Sequence, residues 1–576
     1  MKIKHYFGLA VIAAMTASCS SNEDLGTAGP GTGTNETGVG YATFTINLPS
    51  VSGTRAADAG GAEMNEGTEE EYAVKSATAL IFQKYGADEG SYKFVESVTL
   101  PIDGWTDDPE DGITTTSKKL TAKLTNVDTK NDYSVLILLN NKNVNLPTVG
   151  QSYNDWNSKN ILTLSVTDWA GSDGFYMANA PLKGTAASPA TLVSIDKDKI
   201  YASETEANKP TNDCAATVFV ERGVAKMTVA DPGTITVKDK ANPTVPTKST
   251  VEFSNWALDI TNKKTYAVHN IDGLSTDYNE IWKATGRFLG TNGRLYWGKD
   301  PNYSNTDLKL TDKDVDRKAE FNFIDNTSKI DLDFDKSAYC LENTFDLANM
   351  YQGQTTRVIF KAKYTPKDGT GDLADGDGTF YTIGNMTTIL NTDKLKTAVN
   401  AVATPVLPTG YTIDYENLKT EGSHVIKAEY IKDASGTVLD GATPYSIGAG
   451  SMTGDEIVAD INAKLGLKAG RPEEMVGINT YAKGVTYYIA RVRHFDDDKT
   501  PWSSGKPYGT DNASYLGRYG MLRNNWYELK VGNVYGPGYP GVPPVDPTLP
   551  DDENEKYLSV SVKILSWAKR SQSVDL

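Results

Sequence analysis

The sequence predicts an all-β protein with few helices, built as β-sandwich domains. Short segments in which apolar and polar residues alternate recur along the chain, and this period-two pattern is typical of strands with one buried face. Aromatic residues make up 10% of the chain, and 51 glycines supply turns. Because strands and helices do not alternate regularly, sandwich domains are favoured over a Rossmann fold or a barrel.

Length and charge limit the classes of function. A chain of 576 residues exceeds the size of a single core, so two or three domains are expected. The net charge of −17 argues against a nucleic-acid partner. The sequence contains no Gly-rich phosphate loop, HExxH, CxxC or GxSxG motif, and its four histidines lack the spacing of metal ligands. These features predict no enzyme and no cofactor.

The start of the sequence has the features of an export signal. Lys2 and Lys4 precede a short apolar run, Tyr6–Met15, and the segment TASC then ends at Cys19. Small residues before a cysteine are similar to a bacterial lipoprotein cleavage site, which predicts a signal peptide over residues 1–18 and a lipid on Cys19. An ordinary secretory signal with an incidental cysteine is the alternative. Residues 20–40 are rich in Gly and Thr and are predicted to be a flexible tether.

Two strands with nearly the same pattern lie at opposite ends of the chain. The first is predicted over Tyr41–Val51 and the second begins at Tyr557. Their inward-facing residues are Ala42, Phe44, Ile46 and Leu48 in the first strand, and Leu558, Val560, Val562 and Ile564 in the second. The two strands could occupy the same groove, or they could be ordinary strands of one sheet.

The connections beside these strands suggest how each could move. Arg55 is the only basic residue in the loop Ser52–Glu71, and exposed loops of small residues are where proteases cut. A cut between Arg55 and Ala56 would detach the first strand. The C-terminal strand follows a proline-rich segment, Gly536–Lys556, so it need not pair with its own body and could reach out to another molecule. In the precursor, residues 557–576 are expected either to project or to be loosely docked.

Other segments give further expectations. Tyr133–Leu139 is predicted to be a core strand, and Asp455–Leu465 to be a helix with Ile457 and Ile461 on its apolar face. The turn-like segment Asp231–Thr250 is the candidate domain boundary. Charged residues within an apolar run, Glu221 and Arg222, are expected at the solvent face or in a paired bulge.

Cysteines and acidic clusters are given structural rather than chemical interpretations. Cys214 and Cys340 are predicted to be free buried thiols, although they could pair. The acidic loop with Asp372, Asp375 and Asp377 is expected to be a solvated turn rather than a calcium site. Residues 496–498, all aspartates, are expected to form a hairpin tip rather than to chelate a cation.

Several sequence blocks resemble the major fimbrial subunits (fimbrillins) of Bacteroidales, of the Mfa type that builds short fimbriae. The most specific blocks are the last three: YYIARVRHF, GRYGMLRNNWYELKV and VKILSWAKRSQSVDL. The others are VFVERGVAKMTV, WALDITNKKTY, YCLENT and TTRVIFKAKY. Residues 365–380 and 400–475 resemble nothing in the family.

The resemblance implies a fold, a maturation route and partners. It implies two transthyretin-like β-sandwiches, here residues 56–235 and 236–535, exported as a lipidated precursor to the outer membrane. An Arg-specific protease would then remove residues 19–55, and the donor strand within residues 536–576 of another copy would fill the vacated groove. The implied partners are other copies of the chain, anchor and tip subunits of the fimbrium, the protease and the lipid anchor.

Two other functions compete with a fimbrial shaft subunit. A surface lipoprotein or a fimbrial tip adhesin that binds glycans is the first, because exposed Tyr and Trp side chains can stack on sugars. A glycosidase is the second, since 74 acidic residues always allow a carboxylate pair, although no pair stands out. The C-terminal strand pattern argues against a tip subunit, which needs no outgoing donor.

Overall fold

The architecture is that of a computed structural model. It describes residues 33–34, 38–49, 64–65, 67–103, 105, 117–183, 189–274, 288, 294–303, 308, 314–344, 347–369, 371–495, 500, 515–551 and 558–567. The all-β class that the sequence predicts is confirmed, because strands dominate these residues and helices are few.

The strands in chain order are β1 (Gly40–Asn47), β2 (Met64–Asn65), β3 (Ala77–Gln83), β4 (Lys93–Thr99), β5 (Ser117–Leu124), β6 (Tyr133–Leu139), β7 (Ile161–Thr163), β8 (Met177–Asn179), β9 (Val193–Ile195), β10 (Ala216–Arg222), β11 (Val224–Val229), β12 (Thr234–Lys238), β13 (Pro246–Asp259), β14 (Thr261–Asn262), β15 (Lys264–Tyr266), β16 (Phe321–Asn322), β17 (Ala338–Leu341), β18 (Arg357–Thr365), β19 (Phe380–Ile383), β20 (Thr412–Ile413), β21 (Gly422–His424), β22 (Ile431–Lys432), β23 (Pro444–Ile447), β24 (Gly450–Thr453), β25 (Ile478–Tyr481), β26 (Val485–Arg491), β27 (Asn525–Val534) and β28 (Leu558–Trp567).

The α-helices are α1 (Glu69–Tyr72), α2 (Tyr153–Lys159), α3 (Glu204–Ala207), α4 (Asp314–Glu320), α5 (Thr392–Ala403) and α6 (Gly454–Lys464). Within the described part of the chain, none of them combines the length and the apolarity that crossing a membrane requires.

The first sheet contains the predicted N-terminal strand as an inner member. Its order is β4-β3-β6-β8-β10-β1-β5, and β9 pairs with β6. Strand β6 reads YSVLILL and is buried along its whole length, because both of its faces are covered. The sequence therefore predicted this core strand correctly, and a large apolar core packs around it.

A sandwich of two further sheets forms the second body. One sheet has the order β17-β11-β27-β28-β2, and the other has the order β12-β13-β18-β26. Apolar side chains of β11 and β27 meet those of β13, β18 and β26 in one core, as in face-to-face sheet packing. This arrangement is the β-sandwich that the alternating pattern predicts.

The chain passes from the first sheet to the second at Gly223, between β10 and β11. A Cβ atom at this position would lie 2.5 Å from the ring of Trp169, so the crossing requires a glycine. The predicted boundary segment, Asp231–Thr250, lies further along and contributes to the β12–β13 hairpin of the second body. The division of the chain into domains by sequence stays a prediction.

Residues between β19 and β25 form an inserted unit with its own core. Helices α5 and α6 pack there against short strands. Helix α6 spans Gly454–Lys464 and buries Ile457 and Ile461, which confirms the predicted helix to within a residue at each end. Helix α5 was not foreseen, although Leu395, Val399 and Ala403 form a buried stripe with helical spacing.

Candidate functional site

Strand β1 occupies a slot between two neighbouring strands. It runs parallel to β10 and antiparallel to β5. Phe44 lies opposite Ala216 on one side and opposite Leu120 on the other. The two neighbours are therefore antiparallel to each other, so a strand inserted in either direction makes one parallel and one antiparallel ladder. Removal of β1 would leave an unpaired edge on each side of the slot.

The alternating side chains of β1 face the core, as its sequence predicts. Ala42, Phe44 and Ile46 are completely buried, and Leu48 is 3% exposed. Burial of the three large side chains contributes about 5–9 kcal/mol as an upper bound, at ~1.5–3 kcal/mol each. Strand β1 is thus a structural part of the first core, and its loss would open an apolar groove.

Contacts at one end of β1 and along its outer face restrict which strand could replace it in the slot. The backbones of Tyr41 and Tyr201 exchange two hydrogen bonds, of 2.7 and 2.9 Å. A Cβ atom on Gly40 would lie 2.7 Å from Cγ2 of Ile200, so this end accepts little more than a glycine. Helix α3 contacts the outer face of β1, and the following Asn208 accepts a hydrogen bond of 2.6 Å from Thr121 of β5. A strand entering the slot must therefore fit both faces.

The predicted processing residues lie outside the described residues. Cys19, Arg55 and Ala56 belong to this group, so lipidation and cleavage stay predictions. In the sequence, the chain continues from Leu48 through the segment that contains Arg55, only eight residues beyond Asn47. A cut in that segment would leave β1 held by its hydrogen bonds and its packing alone.

Strand β28 pairs with β27 of its own body, so of the two arrangements that the sequence left open, projecting or docked, the structure shows the docked one. The antiparallel pairing runs from Asn525 opposite Ser566 to Val534 opposite Leu558. Strand β28 docks there because its half-buried side chains Val560 and Val562 pack against the second core, to which β27 also contributes. For Leu558 and Ile564, the structure describes the strand position only.

Among the described residues, only a short strand pairs with the other edge of β28. Its neighbour there is β2, which pairs through two residues, opposite Ser566 and Trp567. Ser561 is exposed, and Val560 and Val562 are only half-buried. The two candidate strands therefore differ: β1 is locked between long neighbours, whereas β28 has one full partner and partly solvated side chains.

The proline-rich segment before β28 is fastened to the second body as far as Asp551. Arg357 donates hydrogen bonds to the carbonyls of Pro543 and Pro544, at 2.7 and 3.2 Å. Its guanidinium also pairs with Asp259 at 2.8 Å. We call residues 535–551 the strap. The sequence predicts a proline-rich tether here, and as far as Asp551 this tether is fixed to the body because buried side chains bind its carbonyls.

Two buried charge clusters hold the first and second bodies together. In one, Glu71 pairs with Lys226 at 2.6 Å and accepts a hydrogen bond from Tyr339, and its carbonyl accepts one from Arg222. Lys226 also lies 3.6 Å from the ring centre of Trp526. The contacts of Glu71 thus fix helix α1 to the second sheet.

The second cluster surrounds Glu221, which interacts with Arg294 and lies 2.9 Å from His269. Burial by itself raises the pKa of Glu221, but the Arg294 guanidinium and the neighbouring His269 ring lower it to about 2. Nearby, Arg523 pairs with Glu342 at 3.1 Å. Glu221 and Arg222 are therefore buried and paired, not at the solvent face, because their partners come from distant parts of the chain.

The acidic loops and the cysteines show no metal site in the described residues. Asp375 accepts a hydrogen bond of 2.9 Å from the backbone of Thr392, and Asp377 accepts one of 2.9 Å from Thr379, so these carboxylates cap turns. Residues 496–498 lie outside the described residues. Cys214 and Cys340 do not form a disulfide, and burial raises the pKa of the Cys340 thiol to about 12.

Comparison with known proteins identifies the C-terminal part of the chain. Residues 479–573 match the family described as major fimbrial subunit protein type IV, fimbrillin, C-terminal. This match contains β26, β27 and β28, and it confirms the resemblance that the sequence blocks indicate. No curated protein matches the chain.

One solved structure belongs to a protein of Parabacteroides distasonis that is provisionally described as a cell adhesion protein. It is 13% identical, covers 92% of this chain and all of its own, and has a TM-score of 0.37. A likeness this weak supports no inference about function.

Proposed function

The chain belongs to the fimbrillin family through residues 479–573, and on this basis we propose that it is a structural subunit of a cell-surface fimbrium that polymerises by strand exchange. In this proposal the precursor is lipidated at Cys19 and reaches the outer membrane. An Arg-specific protease cuts between Arg55 and Ala56, β1 leaves its slot, and β28 of another copy enters it. Anchor and tip subunits complete the fimbrium, which supports adhesion.

The main support for the proposal is the position of β1 between β10 and β5, because removal of this strand would open the first core. In the sequence, the segment that links β1 to the rest of the body contains Arg55. A groove that lacks one strand exposes backbone N–H and C=O groups together with apolar side chains. A strand from another chain restores both the ladder and the core. While β1 is present the slot is filled, so the precursor cannot polymerise.

Strand β28 has the features that a donor needs. Its alternation of Leu558, Val560, Val562 and Ile564 matches the spacing of the four buried side chains of β1. It lies beside the edge strand β2 in its sheet, and its Val560 and Val562 are only half-buried against the second core. Donor and acceptor surfaces differ, so the contact between copies is head-to-tail and need not close, which gives a filament.

Protease-gated assembly can be tested with purified precursor. Treatment with an Arg-specific protease should give ladders of polymers on a mild denaturing gel, and Arg55→Ala precursor should stay monomeric. Arg471→Ala, in a partly exposed loop of the inserted unit, serves as the matched control. Replacement of residues 53–57 by the recognition sequence of an unrelated protease should restore assembly under that protease alone.

Two results would contradict the proposal. If uncut Arg55→Ala precursor polymerises at the wild-type rate, the cut does not control assembly. If cut protein that lacks residues 558–576 still polymerises, β28 is not the donor strand.

A further inference from the structure

The strap has more fixed contacts than a linker needs. The hydroxyl groups of Tyr488 and Tyr481 donate hydrogen bonds of 2.9 Å to the carbonyls of Gly536 and Gly538. The backbones of Tyr487 and Tyr539 exchange two hydrogen bonds, of 2.9 and 2.7 Å. The approach is so close that a Cβ atom on Gly538 would lie 2.0 Å from the carbonyl oxygen of Tyr487. The start of the strap is therefore part of the second body.

The middle of the strap is held by a buried ion pair. Arg357 and Asp259 are 3% and 1% exposed, and the guanidinium uses its remaining donors on the carbonyls of Pro543 and Pro544. Pulling the strap away would leave a buried charge with unmet donors, which is costly. Because proline restricts the backbone, a released strap would gain less conformational entropy than a segment without prolines.

The end of the strap is anchored at Asp551. This carboxylate is completely buried and accepts a hydrogen bond of 2.9 Å from the Thr355 hydroxyl, which is also buried. The Asp551 N–H donates to the carbonyl of Met350 at 3.2 Å, and the Gln352 N–H donates to Leu549 at 3.0 Å. A short antiparallel bridge thus joins Tyr351 and Pro550.

We propose that the strap stays fixed to its own body during assembly, and that the donating arm begins at residue 552. This inference rests on the proposed strand exchange. Only residues 552–557 separate the strap from β28, and six extended residues span about 20 Å at ~3.3–3.6 Å each. The slot of the next copy must therefore come within that distance of Asp551, which places the face around Leu549 at the contact between copies.

The exposed apolar side chain at this face agrees with that placement. Leu549 is 39% exposed, next to the anchoring bridge, and a second copy of the chain would cover it. The short arm also limits how far two neighbouring bodies can move apart, since the strap adds no length. A fixed origin for the arm gives a filament with a narrow range of subunit spacings.

Two engineered disulfides test whether the strap stays fixed or moves during assembly. The strap lock is Tyr351→Cys with Pro550→Cys, which lie opposite each other. The arm lock is Lys530→Cys with Ser561→Cys, an exposed pair across β27 and β28. Both are built in a Cys214→Ser background, because Cys214 is partly exposed. After the Arg-specific cut, the assembly rate of each oxidised protein is compared with that of its own reduced form.

We expect the oxidised strap lock to assemble within about twofold of its reduced form, and the oxidised arm lock to stay monomeric until it is reduced. If the oxidised strap lock stays monomeric while its reduced form assembles, the fixed strap is wrong and strand exchange still stands. If the oxidised arm lock assembles freely, the proposed function itself fails.

A surface variant tests the contact face separately. Leu549→Asp should slow assembly at least tenfold, whereas the monomer should keep its thermal midpoint because the side chain is exposed. Val438→Asp, an equally exposed residue of the inserted unit, is the control and should assemble normally. Unchanged assembly of Leu549→Asp would overturn the placement of this face.

Discussion

Phe44 of β1 lies opposite Leu120 of β5, and both side chains are buried in the first core. In the proposed maturation only one of them remains after the cut, because Phe44 leaves with the propeptide. The contribution of Phe44 to stability should therefore belong to the precursor alone.

This relationship gives the first prediction. Phe44→Ala should destabilise the precursor by about 3–5 kcal/mol through the cavity it leaves, and should lower its thermal midpoint. Polymers made from the cut variant should melt like wild-type polymers, since the residue is absent from them. Scanning calorimetry of precursor and polymer measures both. An equal loss in the polymer would mean that β1 stays in place.

A second prediction concerns the face of β28 that would enter the slot. Val562→Asp should abolish assembly, because a carboxylate would have to enter an apolar groove without a partner. Ser561→Asp, one residue away on the exposed face, is the matched control and should assemble. Gel ladders after the Arg-specific cut give the readout. Equal loss of assembly in both variants would show that the alternation of β28 does not select its inserted face.

A third prediction concerns the ion pair of Glu71 and Lys226, which are 0% and 2% exposed. Glu71→Gln leaves the Lys226 ammonium buried without its counter-charge, and should cost about 3–5 kcal/mol. Adding Lys226→Met removes that charge, so the double variant should recover most of the loss. The thermal midpoints of the three proteins test this. A double variant as unstable as the single one would contradict it.

Acid sensitivity gives a fourth prediction. His494 is buried beside the Tyr527 hydroxyl at 2.8 Å, and burial lowers its pKa to about 3. An unfolded chain binds a proton on this histidine below about pH 6.5, whereas the folded chain does not until about pH 3. Stability should therefore fall as the pH falls through that window, by about 3 kcal/mol between pH 6.5 and 4.

The variant His494→Asn lacks this titration and serves as the comparison. Its thermal midpoint should fall less than that of the wild type between pH 6.5 and 4, whatever its midpoint at neutral pH. Parallel curves for the two proteins would contradict the assignment.

Patterns that depend on neighbouring residues could be predicted from the sequence. The alternation in β1 and β28 and the apolar stripe of α6 predict their secondary structure, because each depends only on which side chains share a face. The four buried residues of β1 were identified in this way. Helix α5 has a comparable stripe, Leu395, Val399 and Ala403, which could have been found by the same pattern but was not recognised.

Features that depend on distant side chains could not be predicted. The prolines of the strap indicate extended chain, but its docking depends on Arg357, which lies 186 residues before Pro543. The burial of Glu221 depends on Arg294 and His269 in the same way. The pairing of β28 with β27 could not be told from pairing with another copy, because both use the same apolar face.

The most direct test of strand exchange is a cross-link between two chains. Cysteine is placed singly at Lys119, Thr121 or Lys123 on the outer face of β5 in one population, and at Ser561 of β28 in another. Cut and mixed subunits are allowed to assemble before oxidation, and mass spectrometry identifies the linked peptides. Cysteine at Ser97, exposed on the far edge strand β4, is the control.

Strand exchange predicts an interchain disulfide between residue 561 and at least one of the three β5 positions, and none with residue 97. Polymers that form without any link from residue 561 to β5 would contradict the claim that β28 of one copy occupies the slot that β1 leaves in the next.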